Sequence, residues 1–402
     1  MASRRQTGAS GDHSSAPDAL VAAARQLLAD HFPSAITGRL LAETAGVQYG
    51  QLHRHFESKS AVLGAAFESL VHDFAEFGTD EAGVPVPFGS RITPSFWMAL
   101  THLMLDRTTF DQLRPLNGVL DRAADGLRQR RPGLDTEQAR AIVALGVSIE
   151  LGVRIHRPVL GRSVGLDPND PIVEQHVRRW LDGLYAGSGP LGHDPAPMSG
   201  LPIRPPSSVE SGSVANAGGD AALSAAQRLI DAGARLLEDS APSAISGRQL
   251  ARVAGVNYGL IHHYFGTKEE VLRRSVQLHR DWFFAAYAGE RAPGYFAVCE
   301  HPGYVRATTW GAVDPTLSVA EQRFPVMDLL LRQRLDSEVG RADELATRAA
   351  VFAVVSGQMA WVLLAEVFES APDTELVLFE RLAAPLLHRL LQAPQFEMGI
   401  SV

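Results

Sequence analysis

The chain has a single cysteine, Cys299, in 402 residues. No intrachain disulfide can form, so the fold must rest on a packed core, and a reducing cytoplasm is its expected setting. A basic excess is also lacking: the formal net charge is −8 at pH 7. That excludes a chromatin-like coat held to nucleic acid by bulk charge. Long apolar runs are scarce. Val351 to Phe368 is the one stretch that suggests a membrane span, and Ser356, Gln358 and Glu366 interrupt it. It reads as a buried interface helix, and no membrane partner is expected. The opening residues, MASRRQTGASGDHSSAP, lack the apolar core of a signal peptide. No strand-like alternation of period two is found, which leaves an all-α fold. There is no GxSxG, Walker loop, CxxC or HExxH. His53 and His55 stand two residues apart on different helix faces, and His262 and His263 are adjacent, so neither pair can share a metal. No catalytic residue, cofactor or metal is expected, and the chain does not read as an enzyme.

What is present is a globular composition, 46% apolar and 20% charged, over a length that suits two or three domains. It is organised around a stretch that occurs twice. Ile36 to Lys59 reads ITGRLLAETAGVQYGQLHRHFESK, and Ile245 to Lys268 reads ISGRQLARVAGVNYGLIHHYFGTK. The two align without a gap. Each has the grammar of a helix-turn-helix. Thr37 or Ser246 caps the first helix through its hydroxyl. Leu41, Ala42 and Ala45 form one apolar face of that helix, as do Leu250, Ala251 and Ala254. Gly46 or Gly255 supplies the positive φ that turns the chain sharply. Val47, Leu52 and Phe56, or Val256, Ile261 and Phe265, then hold the second helix on the core.

A turn of 100° per residue puts Gly50 and Arg54 opposite Leu52, flanked by Gln51 and His53. An exposed face of amide, aromatic and basic groups is what reading a DNA major groove requires. The expected DNA-binding residues are Thr37, Arg39, Gln48, Tyr49, Gln51, His53, Arg54 and Lys59. Their counterparts are Ser246, Arg248, Asn257, Tyr258, Leu260, His262, His263 and Lys268. From Asp18 to Leu63 the basic and acidic residues balance, four against four. Modest non-specific affinity and an operator-specific binder are therefore expected.

The run Ala-Gly-Val-x-x-Gly-x-Leu-His-x-His-Phe-x-x-Lys resembles the DNA-binding signature of the TetR family of bacterial transcriptional regulators. The resemblance implies a three-helix DNA-binding domain followed by a larger helical domain that binds effectors and dimerises. His53 and His262 stand where that family usually has Tyr. Phe32-Pro33 and Ala241-Pro242 stand where it usually has a Gly-aromatic pair.

The repetition extends beyond the heads. Arg140, Ala141, Val143, Val147 and Ser148 correspond to Arg348, Ala349, Val351, Val355 and Ser356. The chain thus reads as two TetR-like modules in tandem. The expected organisation is a disordered tail at 1–17, a helix-turn-helix domain at 18–63 and a helical regulatory domain at 64–186. A Gly-, Pro- and Ser-rich linker at 187–220 follows, then a second helix-turn-helix domain at 221–272, a second regulatory domain at 273–393 and a tail at 394–402. Helices 136–155 and 171–185, with 341–370 and 373–391, correspond to those that build the family's four-helix dimer interface. The family's effectors are typically small apolar molecules, and Phe96, Trp97, Phe110, Trp282, Trp310 and Trp361 are the aromatics expected to line a pocket. Two further readings remain open: a dimer of chains carrying four heads, and a ligand-sensing or protein-interaction module whose heads no longer bind DNA. The primary reading is a ligand-responsive repressor that pairs its own halves on a double-stranded operator.

Overall fold

A computed structural model describes residues 15–77, 79–86, 94–106, 115–167, 170–195, 201, 224–286, 294–317, 324–337, 343–365 and 373–392. Among these residues there are sixteen α-helices, and the only β-pairing is an isolated bridge between Thr79 and Pro85. Residues 1–14 of the tail expected at 1–17, the whole tail expected at 394–402 and most of the expected linker lie outside the described residues; Ser15, Ala16 and Pro17 belong to the capped start of the first helix instead.

The first half runs α1 (Ala16–Asp30), α2 (Gly38–Thr44), α3 (Tyr49–His55), α4 (Lys59–Phe77), α5 (Pro94–Leu105), α6 (Pro115–Arg130), α7 (Thr136–His156) and α8 (Pro171–Ala186). The second runs α9 (Ala225–Asp239), α10 (Gly247–Ala254), α11 (Gly259–Phe265), α12 (Lys268–Ala286), α13 (Pro302–Val313), α14 (Pro325–Leu335), α15 (Glu344–Ala365) and α16 (Asp373–Gln392). Local chemistry sets these boundaries. Ser15 and Ser224 cap α1 and α9 through their side chains. Asp135 and Gln138 form a reciprocal capping box at the start of α7. Gly187, at φ 77°, ends α8 in the left-handed conformation.

Each three-helix head is tied to the body behind it by a ring nitrogen. His102 on α5 lies 2.8 Å from the Leu28 carbonyl at the end of α1. The Trp310 indole on α13 donates to the equivalent Leu237 carbonyl at 3.1 Å. Arg25 joins α1 to α4 through Ser69 and Asp73.

The halves meet along α7 and α15, with α16 packed on α7 and α8 on α15. These fall on the four segments that the family resemblance implies for a dimer interface. The central crossing is close enough to exclude side chains. A Cβ added at Gly152 would sit 2.2 Å from the Ser356 carbonyl oxygen, and one at Gly357 would sit 2.9 Å from Ile149 Cγ1. Other ties cross the junction. Arg306 on α13 is 2% exposed and donates to the Leu105 carbonyl at 2.8 Å. Arg348 donates to the Val164 carbonyl, and Phe32 meets Trp310 edge-on at 4.8 Å. Helix α15 is long and apolar enough to cross a membrane by composition, yet 78% of its most apolar window is buried inside this bundle. Burial against α7 accounts for its hydropathy.

The start of the expected flexible linker is anchored. Leu191 is fully buried, Arg131 pairs with Asp194, and Gln138 donates to the Pro195 carbonyl at 2.9 Å. Composition alone marks 187–195 as flexible, but Arg131 and Gln138 project from the first half to hold it.

A branched side chain at Gly152 has no room to enter without moving backbone, because what it meets is a carbonyl of the other half. Gly152→Ile is expected to cost more than the ordinary overpacking range of about 1–3 kcal/mol. Gly133→Ala, where nothing lies within 4 Å, is expected to change little. Chemical denaturation of the two variants checks this.

A second consequence concerns acid. His156 is fully buried on α7, and its Nε2 lies 3.0 Å from the Thr309 hydroxyl of the other half. Thr309 spends its hydrogen on the Val305 carbonyl at 2.8 Å, so the imidazole is the donor and carries its proton on Nε2. Burial pushes its pKa down to about 4, opposed only by the Gly152 carbonyl. Burial also lowers His102 and His279. Below about pH 6.5 the unfolded chain takes up protons that the fold resists. Stability is therefore fully present above that pH and falls as pH drops towards 4, by roughly 3 kcal/mol for His156 alone. The unfolding free energy is expected to decline from pH 7.5 to 5, and His156→Gln to flatten that decline.

Candidate nucleic-acid interface

The two heads are built alike from the residues upward. Thr37 Oγ1 accepts the Leu40 N–H at 3.1 Å, and Ser246 Oγ accepts that of Gln249 at the same distance. The turn closes at Gly46, φ 66°, where the Val47 N–H reaches the Ala42 carbonyl at 3.0 Å. Gly255, φ 62°, does the same, with Val256 reaching Ala251 at 3.0 Å. Leu52 and Ile261 anchor α3 and α11, each 1% exposed.

That anchoring turns the polar residues outward. Arg39, Gln48, Tyr49, His53 and Arg54 are exposed and Gln51 is half-buried; Arg248, Asn257, Tyr258, His262 and His263 are exposed and Leu260 is half-buried. Within each head these side chains share one surface with the start of the preceding helix. Tyr49 lies over Gly38, where an added Cβ would come within 2.9 Å of its ring, and Tyr258 lies over Gly247 at 2.7 Å. Glycine at the first turn of α2 and α10 is thus the seat of the tyrosine.

Contacts that the sequence pattern does not announce fix this surface. His53 Nε2 lies 3.2 Å from the Tyr49 hydroxyl, and His262 Nε2 lies 3.3 Å from that of Tyr258. In both pairs the rings meet edge-on. His262 Nδ1 also reaches the Gly266 carbonyl at 2.8 Å, a carbonyl acceptor that requires the proton on Nδ1 and leaves Nε2 to accept from Tyr258. The i, i+4 spacing of Tyr and His was the available signal for the pair. Asn257 Oδ1 accepts the Gly259 N–H at 2.9 Å, whereas Gln48 makes no such cap.

Lys59 and Lys268 do more than face outward. Lys59 Nζ donates to the Pro33 carbonyl at 2.8 Å. Lys268 Nζ donates to those of Ile245 at 2.7 Å and Pro242 at 3.2 Å. Each strap holds the loop between the first two helices of its head. Burial lowers the Lys59 pKa, with Asp106 opposing that shift. Asp106 itself accepts the Ser34 N–H of the same loop at 2.7 Å. Removing the strap while keeping the stem, as in Lys59→Met or Lys268→Met, is expected to cost about 1.5–3 kcal/mol. Urea unfolding of the free protein checks it, and unaltered stability would remove the structural role.

Five of the six aromatics expected to line a pocket fall within the described residues. Phe96, Trp97, Trp310 and Trp361 are core residues, each at most 3% exposed. Trp361 stacks on Phe379 at 3.6 Å. Trp282 lies at the surface against His279, and Phe110 lies outside the described residues. The large rings are consumed by packing, as burial of apolar area favours. A cavity of about 250 Å³ is present instead in the second half, lined by other residues of the same region, among them Phe283, Tyr295, Tyr304, Met327, Arg334 and His388. Among the described residues there is no group of three or more His, Cys, Asp or Glu side chains that could hold a metal.

Residues 20–66 and 229–274 each match the family model described as bacterial regulatory proteins, tetR family. The HTH-type transcriptional repressor Rv3405c of Mycobacterium tuberculosis (strain ATCC 25618 / H37Rv) is 28% identical over 150 residues, covering 37% of this chain and 77% of that protein. The HTH-type transcriptional regulator Mb3439c of Mycobacterium bovis (strain ATCC BAA-935 / AF2122/97) aligns with the same figures. The HTH-type transcriptional regulator BetI of Rhizobium meliloti (strain 1021) is 41% identical over 49 residues, 12% of this chain and 24% of that one. An alignment that takes in most of a relative takes in well under half of this chain.

Proposed function

We propose that this chain, whose residues 20–66 and 229–274 each match the tetR family model, is a DNA-binding regulator that acts as a ligand-responsive repressor, its two halves forming an internal pseudo-dimer on one near-palindromic operator. The observation that carries this reading is the direct packing of α7 on α15 within one chain, at a crossing that admits no side chain at Gly152. Two heads fixed to one bundle suit two half-sites about one helical turn apart. A tether also makes pairing of the halves intramolecular, at an effective concentration of order mM, so it outcompetes pairing between chains.

In this reading α3 and α11 enter successive major grooves. Arg39 and Arg248, Tyr49 and Tyr258, and His53 and His262 contact each half-site alike. Thr37 and Ser246 each spend one oxygen lone pair on a helix cap and keep a hydroxyl hydrogen for phosphate. Lys59 has donors beyond its one loop carbonyl, and these face the backbone as a clamp. The heads differ at Gln48 against Asn257, Gln51 against Leu260 and Arg54 against His263. Gln can make a paired hydrogen bond to adenine, whereas Leu packs only on an apolar edge such as the thymine methyl.

Ligand control runs through α13. This helix carries Tyr304 in the wall of the cavity, Arg306 against the end of α5 in the first half, and Trp310 against the end of α9 in the second head. A ligand that shifts α13 bears on both heads and favours a spacing that no longer fits the operator.

Selection of bound sequences from random DNA by the full chain tests this reading. The expected product is an imperfect palindrome with shared outer bases and at least one position that differs between half-sites. Gln51→Leu is expected to relax preference in one half-site only, at about 1–3 kcal/mol for the affected base pair. Failure to enrich any sequence, or equal effects in both halves, would refute the proposal.

A further inference from the structure

The cavity in the second half lies beside a pair of stacked rings that both halves share. Phe74 stacks on Phe96 at 4.7 Å, and Phe283 stacks on Tyr304 at 4.2 Å, in equivalent places on α4 and α5 and on α12 and α13. Beyond that shared pair the halves diverge. Helix α6 packs against both α4 and α7, whereas the shorter α14 lies mainly on α15. The space left between α12 and α14 is the cavity. Its volume of about 250 Å³ equals roughly eight waters, room for a ligand of about ten non-hydrogen atoms.

The walls are apolar on most sides, with Phe283, Met327, Leu330, Met359 and Leu391 among them. The polar groups gather at one end and form a chain whose direction can be worked out. Arg334 Nη1 donates to Gln392 Oε1 at 2.6 Å, which fixes the amide and turns its Nε2 towards His388 Nε2 at 3.4 Å. An amide nitrogen can only donate, so His388 Nε2 is the acceptor and the imidazole proton sits on Nδ1. Nδ1 lies 3.1 Å from the Tyr295 hydroxyl and donates to it. Every bond in the chain runs one way, from Arg334 through Gln392 and His388 to Tyr295. The phenolic hydrogen at its end is free to donate to a ligand.

The groups facing His388 agree with this direction. Burial lowers its pKa, and the positive charges of Arg334 and Arg389 lower it further. The imidazole therefore stays neutral in the empty cavity. Burial pushes the Tyr295 phenol up to about 12, so it stays protonated and remains a donor. Among the described residues no carboxylate forms an ion pair with Arg334. The polar end thus offers hydrogen-bond donors and positive charge. Gln358, also in the wall, is already committed: its Oε1 accepts the Phe296 N–H at 2.6 Å and its Nε2 donates to the Val354 carbonyl at 3.0 Å. Phe296 is the one residue other than glycine with a positive φ among those described, 62°, and Gln358 holds it there beside Tyr295. The donor chain is therefore built into a fixed frame.

We propose that this cavity binds a small amphipathic carboxylate, its apolar body against Phe283, Tyr304, Met327 and Leu391 and its carboxylate on the Tyr295 hydroxyl and the Arg334 guanidinium. The assignment rests on the ligand-responsive reading above and names the class of ligand for it.

Isothermal titration of the full chain without DNA tests it, using octanoate, octanol and octylamine as probes of one body and three heads. Octanoate is expected to bind about tenfold or more tightly than either of the others, the margin that hydrogen bonds to a charged group provide. Tyr295→Phe and Arg334→Gln are each expected to remove most of that margin while leaving octanol affinity nearly unchanged, with far-UV circular dichroism confirming that both variants fold. Equal or tighter binding of octanol or octylamine, no binding by any probe, or an undiminished octanoate preference in both variants would overturn the proposal. If octanoate binds as expected but leaves operator affinity unchanged, the ligand assignment stands and the coupling to DNA fails.

Discussion

The structure depends on the crossing of α7 and α15. Two helices from opposite halves of the chain approach until the Ser356 carbonyl occupies the space of a side chain at Gly152. An approach that close buries Ile149 and its neighbours on both helices and brings α16 onto α7 and α8 onto α15. Everything outside the bundle takes its position from it. Each head is fastened to the body by ring-to-carbonyl bonds near the end of its first helix, from His102 in the first and from Trp310 and His279 in the second. Small residues at helix contacts permit dense packing, and dense packing has discrete rather than graded alternatives. A regulator needs such discreteness, because it must convert a small displacement at one place into a different arrangement elsewhere.

Fusing two modules also frees them to diverge. In a homodimer every substitution occurs twice, so a cavity opened in one subunit opens in both. Here the first half keeps a filled interior around Phe74, Phe96 and Trp97, and the second has a shorter helix and a cavity. The heads have drifted in the same way, retaining the tyrosine-histidine pair while changing Gln51 to Leu260 and Arg54 to His263. Arg306 links these differences. It projects from the cavity-bearing half into the end of α5 in the other, and only one direction of crossing is made by this residue.

Much of this was legible in the sequence, and the reasons are local. The caps at Thr37 and Ser246, the positive φ at Gly46 and Gly255, and the apolar face centred on Leu52 are short-range choices that the chain states directly. What was not legible depends on partners distant in sequence. The lysine straps need the carbonyl of Pro33 or Pro242, and nothing in a periodicity reveals a carbonyl's direction. The anchoring of Leu191 and Pro195 comes from Arg131 and Gln138 on the body. The cavity was not legible either, because a tryptophan in a sequence can line a pocket or fill a core, and Trp97, Trp310 and Trp361 fill the core. The actual lining depends on how short α14 is and where it lies, which is a matter of packing between helices rather than of pattern within one.

The central claim is that one chain supplies both heads to one operator. The most direct measurement is the mass of the protein–DNA complex, taken by sedimentation velocity or native mass spectrometry on a duplex that carries a single selected site. The account predicts one chain per duplex, with hydroxyl-radical protection in both half-sites. Two chains per duplex with the same protection would mean that the halves of different chains pair across the operator, and would contradict it.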